Sequence, residues 1–487
     1  MAGRFWHSQD YEVIKLDDLY KRISQLPIEN LAALAGSTAN EPVRVPIQLD
    51  EPLPLTAPQA RRFASEPLKY LHTYTINFFL ELPAGDPELV YEAMRLCIAH
   101  HEALRVRLYQ SEGRWWQRIM PPEEVEVPLS ICDLSALPDE ELEGALFREA
   151  QAVQQMVNIL TGPILAARYF LLGPERPAGL FVAVNHLVSD GVSQSLLKQD
   201  LRTAYTTLAR KEAMHLPTGA APYHVWVQEL YARAQALDHE VPFWLAQIEP
   251  HEPNPLYFFT RGRQADPEPR FPERLVIELS ATETNDLLNQ LHHLPGIQVH
   301  DVLTTAVAHV LTEETHQSAL FMRFVTHGRI SKSLDVTRTM GYFSSYFPLR
   351  FSFDRVAPLT ARLHAVQEQL RTLPQQGMGY ELLCYCCQQE EIRNKLLLPY
   401  DPPVKINYMH QISSRLHYAM YLPFWRVQTA LQDRLPWQPT QPILWFVARL
   451  GERLVIRVEF RPDFFDSEEI RSLAQEVIQT MRRIVKA

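Results

Sequence analysis

Between Phe181 and Gly191 the chain reads Phe-Val-Ala-Val-Asn-His-Leu-Val-Ser-Asp-Gly, an apolar run of strand length ending on His186, with Asp190 and Gly191 following closely. An imidazole has an ordinary proton affinity near neutrality, so a histidine held rigidly at a strand tip can take a proton from an amine or hydroxyl nucleophile. Asp190-Gly191 turns the chain, and Val192-Ser193-Gln194-Ser195-Leu196-Leu197 opens a helical pattern. The same spacing also suits a core histidine at a strand-to-helix turn. Ser189 and Ser193 raise a third arrangement, a Ser-His-Asp hydrolase. Against it, the chain has no Gly-x-Ser-x-Gly elbow, and residues this close across a tight turn seldom align as base and orienter.

Asp190 either orients His186 or pairs with an arginine that braces the turn. A carboxylate beside a turn glycine favours the brace. Arg329, in Thr326-His327-Gly328-Arg329 at the end of a predicted strand, is its candidate partner.

The elements that must position these groups belong to a chain of 487 residues, longer than one hydrophobic core usually supports, so two lobes are expected. Hydrophobic residues make up 46% and charged residues 21%, as in an ordinary globular protein. A net charge of −10 argues against nucleic-acid binding. The N-terminus is polar, and no apolar stretch approaches the roughly 20 residues of a membrane span, so a soluble, cytoplasmic protein is expected. The cysteine cluster Leu383-Cys384-Tyr385-Cys386-Cys387 lacks a second ligand group with zinc spacing, and buried free thiols are expected there, with no metal. Glycine-rich phosphate loops are absent, which argues against a nucleotide cofactor.

Residues 1–45 read as a leader, with an amphipathic segment from Leu16 to Ala35, a proline at Pro27, and a linker over Gly36–Pro42. Strands and helices then alternate. Strands are predicted near 74–82, 164–172, 179–185, 274–279, 319–326, 347–353 and 404–409. Hairpins are predicted at 104–119 and 443–460, and helices near 87–101, 140–160, 191–211, 223–248, 281–293, 299–315, 358–373 and 467–485. The turn-rich Leu216–Pro222 divides a lobe over 46–218 from one over 219–487, and a proline-rich connection covers 249–270. Mixed α/β (α+β) order with hairpins is not that of a purely parallel doubly wound sheet.

Asn185-His186-Leu187-Val188-Ser189-Asp190-Gly191 resembles the His-His-x-x-x-Asp-Gly signature of the condensation-domain superfamily of nonribosomal peptide synthetases. Other segments resemble that family in the same order. They are Leu55-Thr56-Ala57-Pro58-Gln59-Ala60-Arg61, His100-His101-Glu102-Ala103-Leu104-Arg105, Tyr223-His224-Val225-Trp226, the run Met340 to Arg350, and Ile406-Asn407-Tyr408. The resemblance covers about residues 50–487.

It implies two chloramphenicol-acetyltransferase-like lobes in a V-shaped pseudo-dimer, with an active-site tunnel between them. It also implies transfer of an acyl group from a carrier-borne thioester to an amine or hydroxyl, in nonribosomal peptide or hybrid polyketide synthesis. His186 would be the catalytic histidine, Asp190 and Arg329 its support, and the Gly191 amide a help to the oxyanion. Ser189, Tyr342, Ser344, Ser345, Tyr346 and Asn407 would lie toward the tunnel. Partners would be acyl or peptidyl carrier proteins and a small-molecule amine or alcohol. The substrates would ride on phosphopantetheine arms, with no cofactor of the enzyme's own, and the enzyme would act as a monomer. Two departures stand out: Asn185 replaces the first histidine, and Ser344-Ser345-Tyr346 replaces Val-Asn-Thr. No adenylation signature and no carrier Gly-Gly-x-Ser element is present, so the chain is either a freestanding enzyme with the leader as docking element, or an excised module with the leader as linker stub.

Overall fold

The computed structural model describes residues 12–13, 52–83, 86–248, 272–354, 356–398, 402–412, 421–432, 443–450 and 452–486. The leader helix expected over Leu16–Ala35, its linker, and the proline-rich connection over 249–270 lie outside the described residues.

Along the chain run β1 (Glu12–Val13), β2 (Leu53–Pro54), α1 (Ala57–Ser65), α2 (Leu68–Thr73), β3 (Thr75–Leu82), α3 (Pro87–His100), β4 (Val106–Ser111), β5 (Arg114–Ile119), β6 (Leu129–Asp133), α4 (Asp139–Met156), β7 (Leu165–Leu171), β8 (Ala178–Asn185) and α5 (Gly191–Ala209). After these come α6 (Tyr223–Ala234), α7 (Val241–Ile248), β9 (Glu273–Glu278), α8 (Ala281–Leu291), α9 (Val299–Thr315), β10 (Ala319–Thr326), β11 (Ser345–Ser352), α10 (Leu359–Arg371), α11 (Met378–Tyr385), α12 (Glu390–Leu396), β12 (Val404–Ile412), α13 (Leu422–Gln432), β13 (Ile443–Leu450), β14 (Arg453–Phe460) and α14 (Ser467–Lys486). Sequence patterning did not anticipate β6, α11, α12 or α13, and β11 begins at Ser345, two residues before the predicted start.

Every residue of β8 is buried, and a strand with no polar face must be covered on both sides. It is the second strand of a four-stranded sheet ordered β3-β8-β7-β6. On one face Val90, Met94, Leu197 and Leu201 from α3 and α5 share a core with Phe78, Val182 and Val184. On the other, Leu142, Leu146 and Val153 of α4 and Phe424, Val427 and Leu431 of α13 enclose Phe79, Phe170 and Phe181. The Phe424 ring stacks on Phe79 at 4.6 Å. It occupies the place of a side chain at Gly179, where a Cβ would lie 2.2 Å from it. Packing therefore does not divide at residues 218–219. Helix α13, late in the chain, closes the early sheet, while Ala57 of α1 enters the core of the late one.

That second sheet has seven strands, ordered β1-β9-β14-β13-β12-β10-β11. Strand β12 runs parallel to β10 and β13, and the other pairs are antiparallel. Its core holds Met322, Phe324, Phe347, Leu349, Ile406 and Trp445, covered by α9 and α14. Helix α14 presents Ile470, Ala474, Val477, Ile478, Met481 and Ile484 at the three-to-four spacing of one buried face. A third sheet, β2-β5-β4, is built on a hairpin whose turn residues Glu112 and Gly113 both have positive φ, the twist that suits a two-residue loop.

Among the described residues no helix is long and apolar enough to cross a membrane, and no group of His, Cys, Asp or Glu is arranged to hold a metal ion. Cys97, Cys384, Cys386 and Cys387 are buried free thiols, and Cys132 is half-buried and also free.

Candidate active site

Strand β8 ends at Asn185, where the chain bends into a short 3-10 turn over His186–Val188. Asn185 caps that turn. Its Oδ1 accepts from Leu187 N at 2.9 Å, and its Nδ2 donates to Leu71 O at 2.8 Å and His72 O at 3.3 Å. A carboxamide offers both a donor and an acceptor, so this fully buried side chain leaves neither orphaned. The family's first histidine is replaced here by a residue that ties the turn to α2.

His186 follows directly. Its backbone N donates to Tyr74 O at 2.7 Å. The imidazole stacks on the Tyr74 ring at 4.5 Å with 3° between planes, and the Tyr342 ring meets it edge-on at 4.8 Å. Among the described residues, its Nδ1 is buried without a hydrogen-bond partner of ordinary geometry. Burial, and then the Arg62 guanidinium, push the imidazole down from 6.5 to about 4, so the ring is neutral at physiological pH. Ser189 is buried beside it, and its hydroxyl has no hydrogen-bond partner among the described residues.

Asp190 is the N-cap of α5 and accepts from Ser193 N at 2.8 Å. The same Oδ1 receives Arg329 Nη2 at 3.2 Å, and Oδ2 accepts from Phe343 N at 3.1 Å. Arg329 also donates to Ser193 Oγ at 2.9 Å and Val336 O at 2.9 Å, and its guanidinium lies 3.9 Å over the Phe343 ring. The carboxylate is thus spent on the brace, and no bond joins it to the imidazole. Gly191 begins α5 on the exposed side, where an added Cβ would meet nothing within 4 Å. Its N–H is the first of the amides at the N-terminus of α5 that have no partner within the helix.

The remaining candidates separate. Tyr342 packs on His186, and its hydroxyl accepts from Arg61 Nη2 at 3.1 Å. Ser345 donates to Glu381 Oε2 at 2.9 Å, and Glu381 Oε1 lies 2.7 Å from Arg61 Nε. Tyr346 carries Arg61 over its ring at 4.3 Å and Lys405 Nζ at 4.3 Å. Ser344 is partly exposed just before β11. Asn407 lies on the Lys405 side of β12 and is half-buried.

Sequence reasoning missed Tyr74, Arg62, Arg323, Lys405 and Glu381. A signal was present: one cation sits inside each of the apolar runs Leu-Phe-Met-Arg-Phe-Val and Val-Lys-Ile, where charge is rare unless paired or used.

The quoted segments also lock this region together. Gln59 donates to Leu187 O at 2.8 Å and contacts Tyr223 Oη at 3.2 Å, His101 Nε2 lies 2.9 Å from Asp200 Oδ2, and His224 N donates to Glu102 at 3.1 Å.

The chain is similar to several known proteins. One component of the linear gramicidin synthase of Brevibacillus parabrevis is 30% identical over 442 residues, covering 89% of this chain and 6% of that protein. Surfactin synthase subunit 2 of Bacillus subtilis (strain 168) is 27% identical over 377 residues, covering 76% of this chain and 10% of that protein. The chain therefore spans a small fraction of the length of these relatives. Among solved structures, the epimerization domain from the third module of tyrocidine synthetase B superimposes with a TM-score of 0.74 at 22% identity, covering 89% of this chain and 97% of that one. The first condensation domain of the calcium-dependent antibiotic synthetase, in complex with a substrate analogue, gives a TM-score of 0.65 at 18% identity, with 90% and 97% covered. These likenesses establish the mixed α/β, chloramphenicol-acetyltransferase-like fold. With a match to the Condensation domain family over residues 50–487, the chain belongs to the condensation-domain family.

Proposed function

We propose that this chain transfers an acyl group from a carrier-protein-bound thioester to an amine or hydroxyl acceptor, forming an amide or ester. The observation that carries the reading is His186. It is a neutral imidazole held between Tyr74 and Tyr342, on the turn that leads into α5 at the exposed Gly191.

The acceptor's N–H or O–H donates to the neutral ring as its lone pair attacks the thioester carbonyl. The C–N or C–O bond forms, and the nucleophile's proton passes to the imidazole as its acidity rises. Collapse breaks the C–S bond, and the departing thiolate takes that proton. The Gly191 amide, at the positive end of α5, suits the oxyanion of the tetrahedral intermediate. Positioning contributes most. Two tethered reactants held in a tunnel between the lobes gain up to about 7–11 kcal/mol over free encounter. No cofactor is required. Donor and acceptor arrive on phosphopantetheine arms of carrier proteins acting in trans, or the acceptor arrives free, and the enzyme works as a cytoplasmic monomer.

Intact-mass analysis of a donor-loaded carrier protein, incubated with the chain and a panel of carrier-bound and free amines and alcohols, tests this. Loss of the acyl group with a matching product is expected. A carrier that keeps its acyl group against every acceptor ends the reading in favour of a recruitment module. Inversion of the bound residue's α-carbon without transfer assigns epimerisation instead.

A further inference from the structure

Acyl transfer at His186 leaves one nucleophile of the late sheet unused. In the parallel strands β10 and β12, Lys405 lies directly across from Arg323, and on its other side it faces Leu444 of β13. Its neighbours Val404 and Ile406 point into the apolar core, so strand alternation turns Lys405 to the opposite face, where it is half-buried. Tyr346 of β11 shares that face, across from Val325. Lys405 Nζ stands 4.3 Å from the Tyr346 ring centroid and donates to its hydroxyl at 3.2 Å. The Arg61 guanidinium lies 4.3 Å from the same centroid, and that of Arg323 5.4 Å. Arg61 also joins this group to the histidine, donating to the Tyr342 hydroxyl at 3.1 Å while the Tyr342 ring packs on His186.

A guanidinium keeps its charge in a protein, whereas an ammonium gives up its proton where charge is costly. Of the three cations on the Tyr346 ring, Lys405 is therefore the one able to turn neutral. The charged and titratable groups that act on it are Arg323 of β10, Arg61 and Arg62 of α1, and Tyr342, beside its hydrogen-bond partner Tyr346. Glu381 of α11 is engaged with Arg61 and Ser345. No described carboxylate lies within ion-pair distance of Lys405, and this holds whatever anions the arginines meet. Burial, and then Arg62 and Arg323, bring its ammonium down from 10.5 to about 7. A lysine desolvated beside other cations is an activated nucleophile. With one N–H given to Tyr346, the neutral amine keeps its lone pair for carbon.

We propose that Lys405 is a nucleophilic amine that takes an acyl group from small thioesters, forming an amide on its own Nζ. The lone pair attacks the thioester carbonyl, the C–N bond forms, the C–S bond breaks, and the amine's proton leaves with the departing thiolate. An amide does not hand its acyl group on to a second amine, so the product is a lasting mark beside Tyr346. This reactivity belongs to Lys405 and does not rest on the acyl-transfer reading.

The full chain is incubated with the butyryl thioester of N-acetylcysteamine near neutral pH, and acylated lysines are mapped by peptide mass spectrometry. Lys405 is expected to acylate at least about tenfold faster than Lys395, which is exposed and paired with Glu391, because an ordinary lysine is almost wholly protonated there. Its rate should level off just above pH 7, while that of Lys395 keeps rising toward about pH 10. Lys198 of α5 is the rival, lying 4.9 Å over the Phe78 ring and lowered by burial to about 8. Lys405→Met, checked for cooperative melting, should lose the mark and leave the Lys395 rate unchanged, and the comparison among wild-type lysines needs no variant. His186→Ala should keep the mark, so failure of the acyl-transfer reading does not disturb this result. Acylation of Lys405 no faster than that of Lys395, a mark on Lys198 in its place, or a mark that vanishes in His186→Ala overturns the proposal.

Discussion

Arg329 Nη2 stands 3.2 Å from Asp190 Oδ1, joining residues 139 positions apart, with both side chains almost wholly buried. Through the other carboxylate oxygen the pair also holds Phe343 N, and so sets Tyr342 against the imidazole. The aspartate of the motif acts here as a clamp on the wall facing His186.

Asp190→Ala is expected to destabilise the fold by about 3–5 kcal/mol, because it leaves Arg329 buried without its anion and α5 without its cap. Chemical denaturation measures this. Wild-type stability with lost turnover would instead assign Asp190 a direct part in the chemistry.

His186→Ala is expected to lower acyl transfer by roughly 10²–10⁴-fold while the protein still melts cooperatively. Single-turnover loss of acyl group from a loaded carrier is the measurement, and an unchanged rate would remove His186 from the mechanism.

The depressed imidazole also shapes stability against pH. The folded chain binds this proton only near pH 4, while the unfolded chain binds it near 6.5, so the unfolded state gains the proton first on acidification. Stability contributed by the neutral ring is complete above pH 6.5 and is lost as pH falls toward 4. Melting temperatures across that window should fall more steeply for wild type than for His186→Ala. Parallel curves would show that burial does not depress the group.

Lys405 follows the same logic at higher pH. Burial, with Arg62 and Arg323 nearby, lowers its ammonium from 10.5 to about 7. Folding therefore favours the neutral amine, and the cost of the charged form is relieved as pH rises above 7. Lys405→Met should melt above wild type at pH 6, with the gap narrowing by pH 9. A pH-independent gap would contradict the crowding of cations.

Asn185→Ala should cost about 2 kcal/mol or more, since Leu187 N and Leu71 O lose a buried partner. Transfer should fall along with it as the histidine turn loosens. Equilibrium unfolding together with transfer rates tests both, and a variant as stable as wild type would mean that water replaces the carboxamide.

Much of this was legible in the chain. The apolar run into His186, the turn at Asp190-Gly191 and the following helix are local signals, and the Asp190–Arg329 pairing followed from a carboxylate beside a turn. Tyr342 was reached through resemblance. The cation pair of Arg323 and Lys405 was not legible, because the two come from distant segments and meet only through the parallel register of β10 and β12. Helix α13 escaped for a related reason. Leu-Pro-Phe-Trp-Arg-Val is apolar without a strong period, and its reason for burial, the bare face at Phe79 and Gly179, lies far upstream.

That helix bears on how the molecule is made. Phe79 N donates to Gln428 at 2.9 Å, a bond between residues 349 positions apart, and Phe424 fills the hollow over Gly179. During synthesis the early sheet can form its strands and bury one face, but the face around Phe79 and Phe181 stays wet until α13 has left the ribosome. Domains that finish in order of emergence are spared such a wait, and this chain is not. Its halves mature together, and a nascent chain halted before residue 422 carries an open aromatic surface of the kind chaperones bind.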